Sequence, residues 1–228
     1  MRMKIYSYPH AGGSAASYTY FKNNFPLNIG EIVPIEIPGR GKRSKEQFSI
    51  DITDCISKSI SQLPVHEEFI LHGHCMGALL AFETVKYLTL NNKKLPKLLI
   101  ISGRNAPKYQ TDWGKKVANL EDKELYAELK TVGGIPKGLS FSMAQQFLEI
   151  IRNDQRIVHA YKPDDRKISI PILVLSGDND FMTNESSLLE WKEYTTNTVN
   201  FGVMSGEHYF IYNQPFEFAE EISKLELV

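Results

Sequence analysis

A five-residue turn constrains the fold of this chain more than any other feature. Residues 73–77 read Gly-His-Cys-Met-Gly and lie between a short apolar run, Phe69–His72, and a long apolar stretch that begins at Met76. The spacing Gly-x-Ser-x-Gly is typical of a sharp strand-to-helix turn, where side chains two residues either side of the centre would collide with it. Cys75 stands where that pattern normally carries serine. We therefore predict an elbow that lifts the Cys75 thiol above the end of a strand.

Apolar runs elsewhere alternate with helical stretches, which is typical of β-α-β units and a mainly parallel sheet. Helical periodicity is clear over 50–63 and 76–90 and again after Pro215. At 228 residues, the chain is predicted to be one α/β domain, 1–228, with helices flanking a central sheet. Pro34 places the second strand at an edge or at a bulge. The expected strands are Lys4–Tyr8, Glu31–Ile37, Phe69–His72, Leu98–Ser102, Ile170–Ser176 and Thr198–Met204.

The alternation of strand and helix breaks over about 105–163. Helical stretches are expected there at about 121–132, 142–152 and 153–160, and no strand is expected. An insertion of this kind between late strands commonly packs over the mouth of a binding site. We therefore expect a helical lid whose central turn is Gly133-Gly134-Ile135-Pro136.

Polar residues follow several of the expected strands, at the edge of a parallel sheet where ligands bind. Asp180 follows the fifth strand and His208 follows the last. The chain order nucleophile, acid, histidine is that of the α/β-hydrolase fold. We predict that Cys75 is the nucleophile, His208 its base and Asp180 the group that orients the base. Asp178 is the alternative acid, since either aspartate suits a turn.

The remaining cysteine and histidines are expected to have structural roles. Cys55 lies in an amphipathic stretch and is expected in the core, and a disulfide to Cys75 is not expected because nothing indicates a secreted chain. His72 and His74 flank the elbow and are expected to shape it. His10 lies near the site but precedes the acid in chain order, which makes it a poor candidate for the base. The last two, His66 and His159, are assigned to the surface or to packing.

An acyl-transfer site also needs two N–H groups for the oxyanion of the tetrahedral intermediate. The backbone N–H of Met76, directly after the predicted nucleophile, is expected to be one. The other is expected from Ala11, in the loop after the first strand, where Gly12 and Gly13 allow close approach of the backbone. These glycines alternatively serve only a tight turn.

Composition excludes several other functions. The net charge is −1, which gives no electrostatic basis for binding nucleic acid or an anionic membrane. No apolar run is long enough to span a bilayer, and the N-terminus shows no signal-peptide pattern, so a cytoplasmic location is expected. No metal-ligand spacing is present. The run His10-Ala11-Gly12-Gly13 lacks the spacing of a dinucleotide-binding loop, so no cofactor is expected.

Taken together, the motifs resemble those of the type II thioesterases, which are stand-alone editing enzymes of nonribosomal peptide and polyketide synthesis. The resemblance runs in order from about residue 5 to 215. Two positions depart from it, because most members have serine at position 75 and glycine at position 207, where this chain has Glu207. The motifs are His10-Ala11-Gly12-Gly13-Ser14, Ile37-Pro38-Gly39-Arg40-Gly41, Gly73-His74-Cys75-Met76-Gly77-Ala78, Gly133-Gly134-Ile135-Pro136 and Gly206-Glu207-His208-Tyr209-Phe210.

The resemblance implies an α/β-hydrolase fold with a lid, and hydrolysis of acyl groups from the phosphopantetheine arm of an acyl- or peptidyl-carrier protein. It places the catalytic roles on Cys75, Asp180 and His208 and the oxyanion donors at Ala11 and Met76. Two alternatives stay open at this point. One is a cysteine-dependent esterase or acyltransferase that acts on small free esters or thioesters. The other is a non-catalytic module that binds a carrier protein or an acyl chain.

Overall fold

A six-stranded parallel sheet organises the part of the chain that the computed structural model describes, residues 2–110, 112–117, 119–135 and 138–225. The strands are β1 (Lys4–Tyr8), β2 (Glu31–Pro34), β3 (Phe69–His74), β4 (Leu98–Ser102), β5 (Ile172–Gly177) and β6 (Val199–Met204). Their order across the sheet is β2-β1-β3-β4-β5-β6, and every neighbouring pair runs parallel. The predicted α/β fold with a mainly parallel sheet is confirmed.

Four strands have bounds that differ from the prediction. β5 runs from Ile172 to Gly177 rather than from Ile170 to Ser176, and β6 begins at Val199 rather than Thr198. The ends of β2 and β3 differ for reasons that lie in backbone hydrogen bonding. β2 ends at Pro34 rather than Ile37, and it is the edge strand that Pro34 predicted, since proline has no N–H to donate. β3 continues two residues beyond His72, because Gly73 and His74 still pair with β4. Its pairing carries the strand directly into the elbow.

The helices occupy both faces of the sheet. Those among the described residues are α1 (Thr19–Asn24), α2 (Ile52–Ser59), α3 (Met76–Leu90), α4 (Asp112–Val117), α5 (Asp122–Thr131), α6 (Phe141–Ala160), α7 (Glu185–Leu189) and α8 (Pro215–Ser223). Short 3-10 turns cover Ala15–Tyr18, Gly41–Arg43, Ile60–Gln62, Glu190–Tyr194 and Phe210–Asn213. The core on one face contains residues of α2 and α3, including Cys55, and the core on the other contains residues of α1 and α8. Cys55 is 1% exposed, as expected of a core residue.

The segment between β4 and β5 holds α4, α5 and α6 and has a small apolar core of its own. From the sequence, the segment is expected to hold two or three helical stretches, and the stretches at 142–152 and 153–160 form one continuous helix, α6, which has no glycine or proline to interrupt it. α4 was not predicted. Pro136, expected in the central turn of this segment, lies outside the described residues.

Candidate active site

The elbow at Cys75 has the steric tightness that its two glycines predicted. Cys75 adopts φ 55° and ψ −113°, a conformation that a residue other than glycine holds at a cost of about 1–3 kcal/mol. A Cβ added to Gly73 would lie 1.9 Å from the carbonyl oxygen of Gly77. A Cβ added to Gly77 would lie 2.4 Å from the carbonyl oxygen of Tyr8. The Cys75 N–H donates to the Ser102 carbonyl at 2.9 Å, which fixes the turn against β4.

Asp180 and His208, which follow β5 and β6, meet beside the elbow. The Nδ1 atom of His208 lies 3.0 Å from each carboxylate oxygen of Asp180, so the carboxylate orients the imidazole. Both side chains are buried. Asp178 is exposed and instead accepts the backbone N–H of Gly206 at 2.7 Å. The structure therefore brings Asp180 to His208 and uses Asp178 to hold the loop between β6 and His208.

The half-buried thiol of Cys75 and the imidazole of His208 line the same cavity, and the two groups change each other's acidity. Burial by itself raises the pKa of Cys75, but the positive charge of His208 lowers that pKa below its ordinary value. Burial by itself lowers the pKa of His208, but Cys75 and Asp180 raise it to about 10. Both shifts favour a thiolate–imidazolium pair at neutral pH.

Two backbone N–H groups near Cys75 are free to receive an oxyanion. Met76 is the first residue of α3, and the first N–H groups of a helix have no acceptor within it. In the loop after β1, Gly12 donates to the carboxylate of Asp154 at 2.7 Å and Gly13 donates to His10. Among the described residues, the Ala11 N–H has no acceptor. Ala11 and Met76 line the same cavity as Cys75.

The cavity beside Cys75 is lined by the elbow, by the loops after β1, β4, β5 and β6, and by the helical part of the segment between β4 and β5. The loop after β4 contributes Gly103 and Arg104, and the segment between β4 and β5 contributes most of the remaining wall. His159 lies in that wall, so its assignment to the surface or to packing was incomplete. Sequence reasoning also missed Arg104, although its position at the end of a strand is the signal that identified Asp180 and His208. The lining residues are Ala11, Cys75, Met76, Gly103, Arg104, Gln110, Trp113, Gly114, Gln155, Val158, His159, Met182 and His208.

A buried ion pair joins α6 to the loops around the site. The guanidinium of Arg40 contacts both carboxylate oxygens of Asp154 at 2.6 Å, and the two side chains are 2% and 0% exposed. Nη1 of Arg40 also donates to the Gly13 carbonyl at 3.2 Å. Because Asp154 accepts the Gly12 N–H as well, its carboxylate holds α6 and the loop that carries Ala11 in one arrangement.

The histidines that flank the elbow are held by serine hydroxyls. His72 lies between Ser7 and Ser102, at 3.1 and 2.9 Å, and Nδ1 of His74 is 3.0 Å from the same Ser102 hydroxyl. Burial lowers the pKa of His72 to about 3 and that of His74 well below its ordinary value. Neutral rings therefore support the elbow, as the sequence predicted.

His10 bonds to the Tyr212 hydroxyl, with its Nδ1 atom 2.5 Å from that oxygen. Burial, together with the nearby charges of His208 and Arg40, lowers the pKa of His10 to about 3. The side chains of His66 and Glu207 are exposed. The two cysteines, Cys55 and Cys75, are not joined by a disulfide.

No group of three or more histidine, cysteine, aspartate or glutamate side chains is placed to hold a metal ion in the part of the chain that is described. Over the same residues, none of the helices combines the length and apolar character needed to cross a bilayer.

Several known proteins are similar to this chain in sequence or in structure. The family model of the thioesterase domain matches residues 3–225. A probable cadicidin biosynthesis thioesterase of Streptomyces griseus is 32% identical over 92% of this chain and 58% of its own length. The gramicidin S biosynthesis protein GrsT of Aneurinibacillus migulanus is 28% identical over 98% of this chain and 88% of its own.

Among solved structures, the type II thioesterase BorB from the borrelidin biosynthetic cluster superimposes with a TM-score of 0.83. It is 27% identical, and the match covers 98% of this chain and 92% of that one. The match to the family model spans nearly the whole chain, from before β1 to beyond α8. The chain therefore belongs to the thioesterase family and has the α/β-hydrolase fold of those enzymes.

Proposed function

We propose that this protein hydrolyses acyl groups from the phosphopantetheine arms of carrier proteins, as an editing enzyme of nonribosomal peptide or polyketide synthesis, by way of a covalent intermediate on Cys75. The observation that carries the proposal is the thiol of Cys75 at a strained elbow, in the same cavity as a His208 ring that Asp180 orients. The relatives include a biosynthesis thioesterase and a type II thioesterase from a biosynthetic cluster, which supports a thioester as the substrate.

Acylation begins with the thiolate of Cys75, which attacks the carbonyl carbon of the substrate thioester. The N–H groups of Ala11 and Met76 receive the oxyanion that forms. When the carbon–sulfur bond to pantetheine breaks, the imidazolium of His208 gives its proton to the departing sulfur. The products are a thioester on Cys75, a neutral His208 and the free pantetheine thiol.

Hydrolysis returns the site to its first state. Neutral His208 takes a proton from a water molecule, whose oxygen attacks the acyl carbon of the Cys75 thioester. Collapse of the intermediate releases the carboxylic acid and the Cys75 thiolate, and His208 is again an imidazolium. The exchange of one thioester for another has a free-energy change near zero, whereas a serine would form a less reactive oxoester. The Cys75 intermediate is therefore more open to water than its serine counterpart.

The segment at about 105–163 acts as the lid in this proposal. Six described residues of the segment line the cavity: Gln110, Trp113, Gly114, Gln155, Val158 and His159. The ion pair between Arg40 and Asp154 fastens α6, the longest helix of the segment, to the loops on the opposite side. An acyl group on Cys75 would lie between the elbow and this segment.

Mass spectrometry of the intact protein tests the nucleophile. Incubation with an acyl-pantetheine donor should add one acyl mass, which peptide mapping places on Cys75, and iodoacetamide should block it. Cys55 is the internal control, because it is a buried thiol whose pKa is raised to about 12, mainly by burial. Acylation of Cys55, or of neither cysteine, would contradict the proposal.

Two further measurements test the chemistry and the substrate class. Cys75→Ser should keep part of the hydrolytic activity and Cys75→Ala should lose it. Equal rates for the wild type and both variants would show that Cys75 is not a catalytic residue. Carrier-bound acyl groups should be hydrolysed with a higher kcat/KM than free p-nitrophenyl esters of the same acids. The reverse order would favour an esterase of small free esters.

A further inference from the structure

The loop after β4 places a buried positive charge in the wall of the active-site cavity. Arg104 is 6% exposed and lines the cavity together with Cys75. Its backbone is fixed, because its carbonyl accepts the indole N–H of Trp191 at 2.9 Å. Among the described residues, the guanidinium makes one hydrogen bond, from Nη2 to the carbonyl of Tyr109 at 3.3 Å. The Nε atom is buried and has no acceptor.

No carboxylate of the described chain compensates this charge. The other buried arginine of the site, Arg40, has both of its Nη atoms on the carboxylate of Asp154, whereas no ion pair of Arg104 is found among the described residues. The acidic groups that act on Arg104 are the Cys75 thiol and the Tyr161 phenol. Tyr161 stays neutral, since burial and the nearby Glu83 raise its pKa far above the ordinary value.

The catalytic cycle removes the one counter-charge that is left. In the free enzyme, the Cys75 thiolate faces Arg104 across the cavity. Once Cys75 carries an acyl group, its sulfur is uncharged and the guanidinium faces the acyl group without any anion. A buried charge without a partner is costly, and guanidinium groups pair strongly with carboxylates through two parallel hydrogen bonds.

We propose that Arg104 binds a carboxylate at the far end of the acyl group, so that the enzyme prefers short acyl thioesters that carry a free carboxylate. This proposal rests on the proposed function, because it concerns the acyl group transferred to Cys75. The phosphate of the pantetheine arm lies at the opposite end of the arm from the reacting sulfur, so the anion near Cys75 belongs to the acyl side. Gln110, Gln155 and His159 line the same cavity, whose surface is otherwise mainly apolar, so Arg104 is the charged group that an acyl chain would meet there.

Three pantetheine thioesters of similar size test the proposal: succinyl, its neutral amide succinamyl, and pentanoyl. The wild-type enzyme should hydrolyse the succinyl donor with a kcat/KM about 10- to 100-fold above that of the succinamyl donor, the range expected for a hydrogen bond to a charged group. Arg104→Gln should remove this preference by lowering the succinyl rate much more than the succinamyl and pentanoyl rates. Arg104→Lys should restore part of it, because the charge returns without the planar fork.

The opposite results overturn the proposal. An equal kcat/KM for succinyl and succinamyl donors in the wild-type enzyme would exclude a carboxylate site without reference to any variant. A uniform loss for all donors in Arg104→Gln, with a higher pH midpoint for alkylation of Cys75, would mean that Arg104 serves the thiolate instead.

A binding measurement separates this proposal from the proposed function. In Cys75→Ala, calorimetry should detect monomethyl succinate, which has one carboxylate, more tightly bound than methyl succinamate, which has none, and Arg104→Gln in that background should abolish the difference. This readout needs no turnover, and equal binding of the two esters would overturn the carboxylate site. Failure of the pentanoyl donor to acylate Cys75 in the wild-type enzyme would contradict the proposed function alone.

Discussion

The Asp154→Asn variant should unfold at a markedly lower denaturant concentration than the wild-type protein, although Asp154 lies outside the proposed triad. The substitution keeps the size of the side chain and removes its charge. It leaves the Arg40 guanidinium, 2% exposed, without a counter-ion. Loss of one partner of a buried ion pair costs about 3–5 kcal/mol, because the remaining charge is buried and unpaired. For a domain of this size, that loss lowers the melting temperature by about 6–20 °C.

Asp122→Asn is the matched control for Asp154→Asn. Asp122 pairs with Arg152 of α6 at 2.8 Å, but the two side chains are 53% and 31% exposed. An exposed pair of this kind contributes about 1 kcal/mol or less, so the control should melt within a few degrees of the wild type. Urea unfolding followed by circular dichroism measures both variants. Equal destabilisation by the two substitutions would refute the argument from burial.

The double variant Arg40→Met/Asp154→Leu separates stability from loop positioning. Hydrophobic residues of similar volume often replace a buried ion pair without loss of stability, so this variant should recover most of the unfolding free energy. It lacks the carboxylate that accepts the Gly12 N–H at 2.7 Å, and acylation of Cys75 should remain slower than in the wild type. Wild-type acylation by the double variant would show that the Ala11 loop needs no anchor on α6.

Three other perturbations probe the elbow and its partners. The rate of alkylation of Cys75 by iodoacetamide should rise with pH through a midpoint below the ordinary thiol pKa of about 8.5, because His208 lowers the pKa of Cys75 against the effect of burial. In His208→Ala this midpoint should move to higher pH. An unchanged midpoint would contradict the thiolate–imidazolium pair. Asp180→Asn should reduce kcat by about 10³–10⁴-fold, the loss expected when the orienting carboxylate of such a triad is removed. Asp178→Asn should change kcat only slightly. If steady-state kinetics show the larger loss for Asp178→Asn, then Asp178 and not Asp180 orients the histidine. Gly73→Ala should lower the free energy of unfolding, measured in urea, by about 3 kcal/mol or more, since the added Cβ would lie 1.9 Å from the backbone oxygen of Gly77. If the variant unfolds at the same urea concentration as the wild type, the steric explanation of the elbow is wrong.

Local patterns predicted much of the fold because the forces that set it act over a few residues. The bounds of β1, β4 and α3 agree with the apolar runs that predicted them. The continuity of α6 was not predicted, because helical periodicity reports a buried face and not the continuity of the helix. The ends of β2 and β3 depend on which backbone groups a neighbouring strand offers, which periodicity does not contain.

The sequence by itself determined the turn at Cys75, since two glycines at that spacing are a local steric requirement. It also determined the order of Cys75, Asp180 and His208 along the chain. The tertiary structure alone decided which aspartate reaches the histidine. It also paired Arg40 with Asp154 and, as far as the described residues show, left Arg104 without a carboxylate. Those outcomes depend on where loops from distant parts of the chain meet and how deeply the charges are buried. The sequence does not indicate whether a charged side chain is solvated, paired with an opposite charge or facing a cavity.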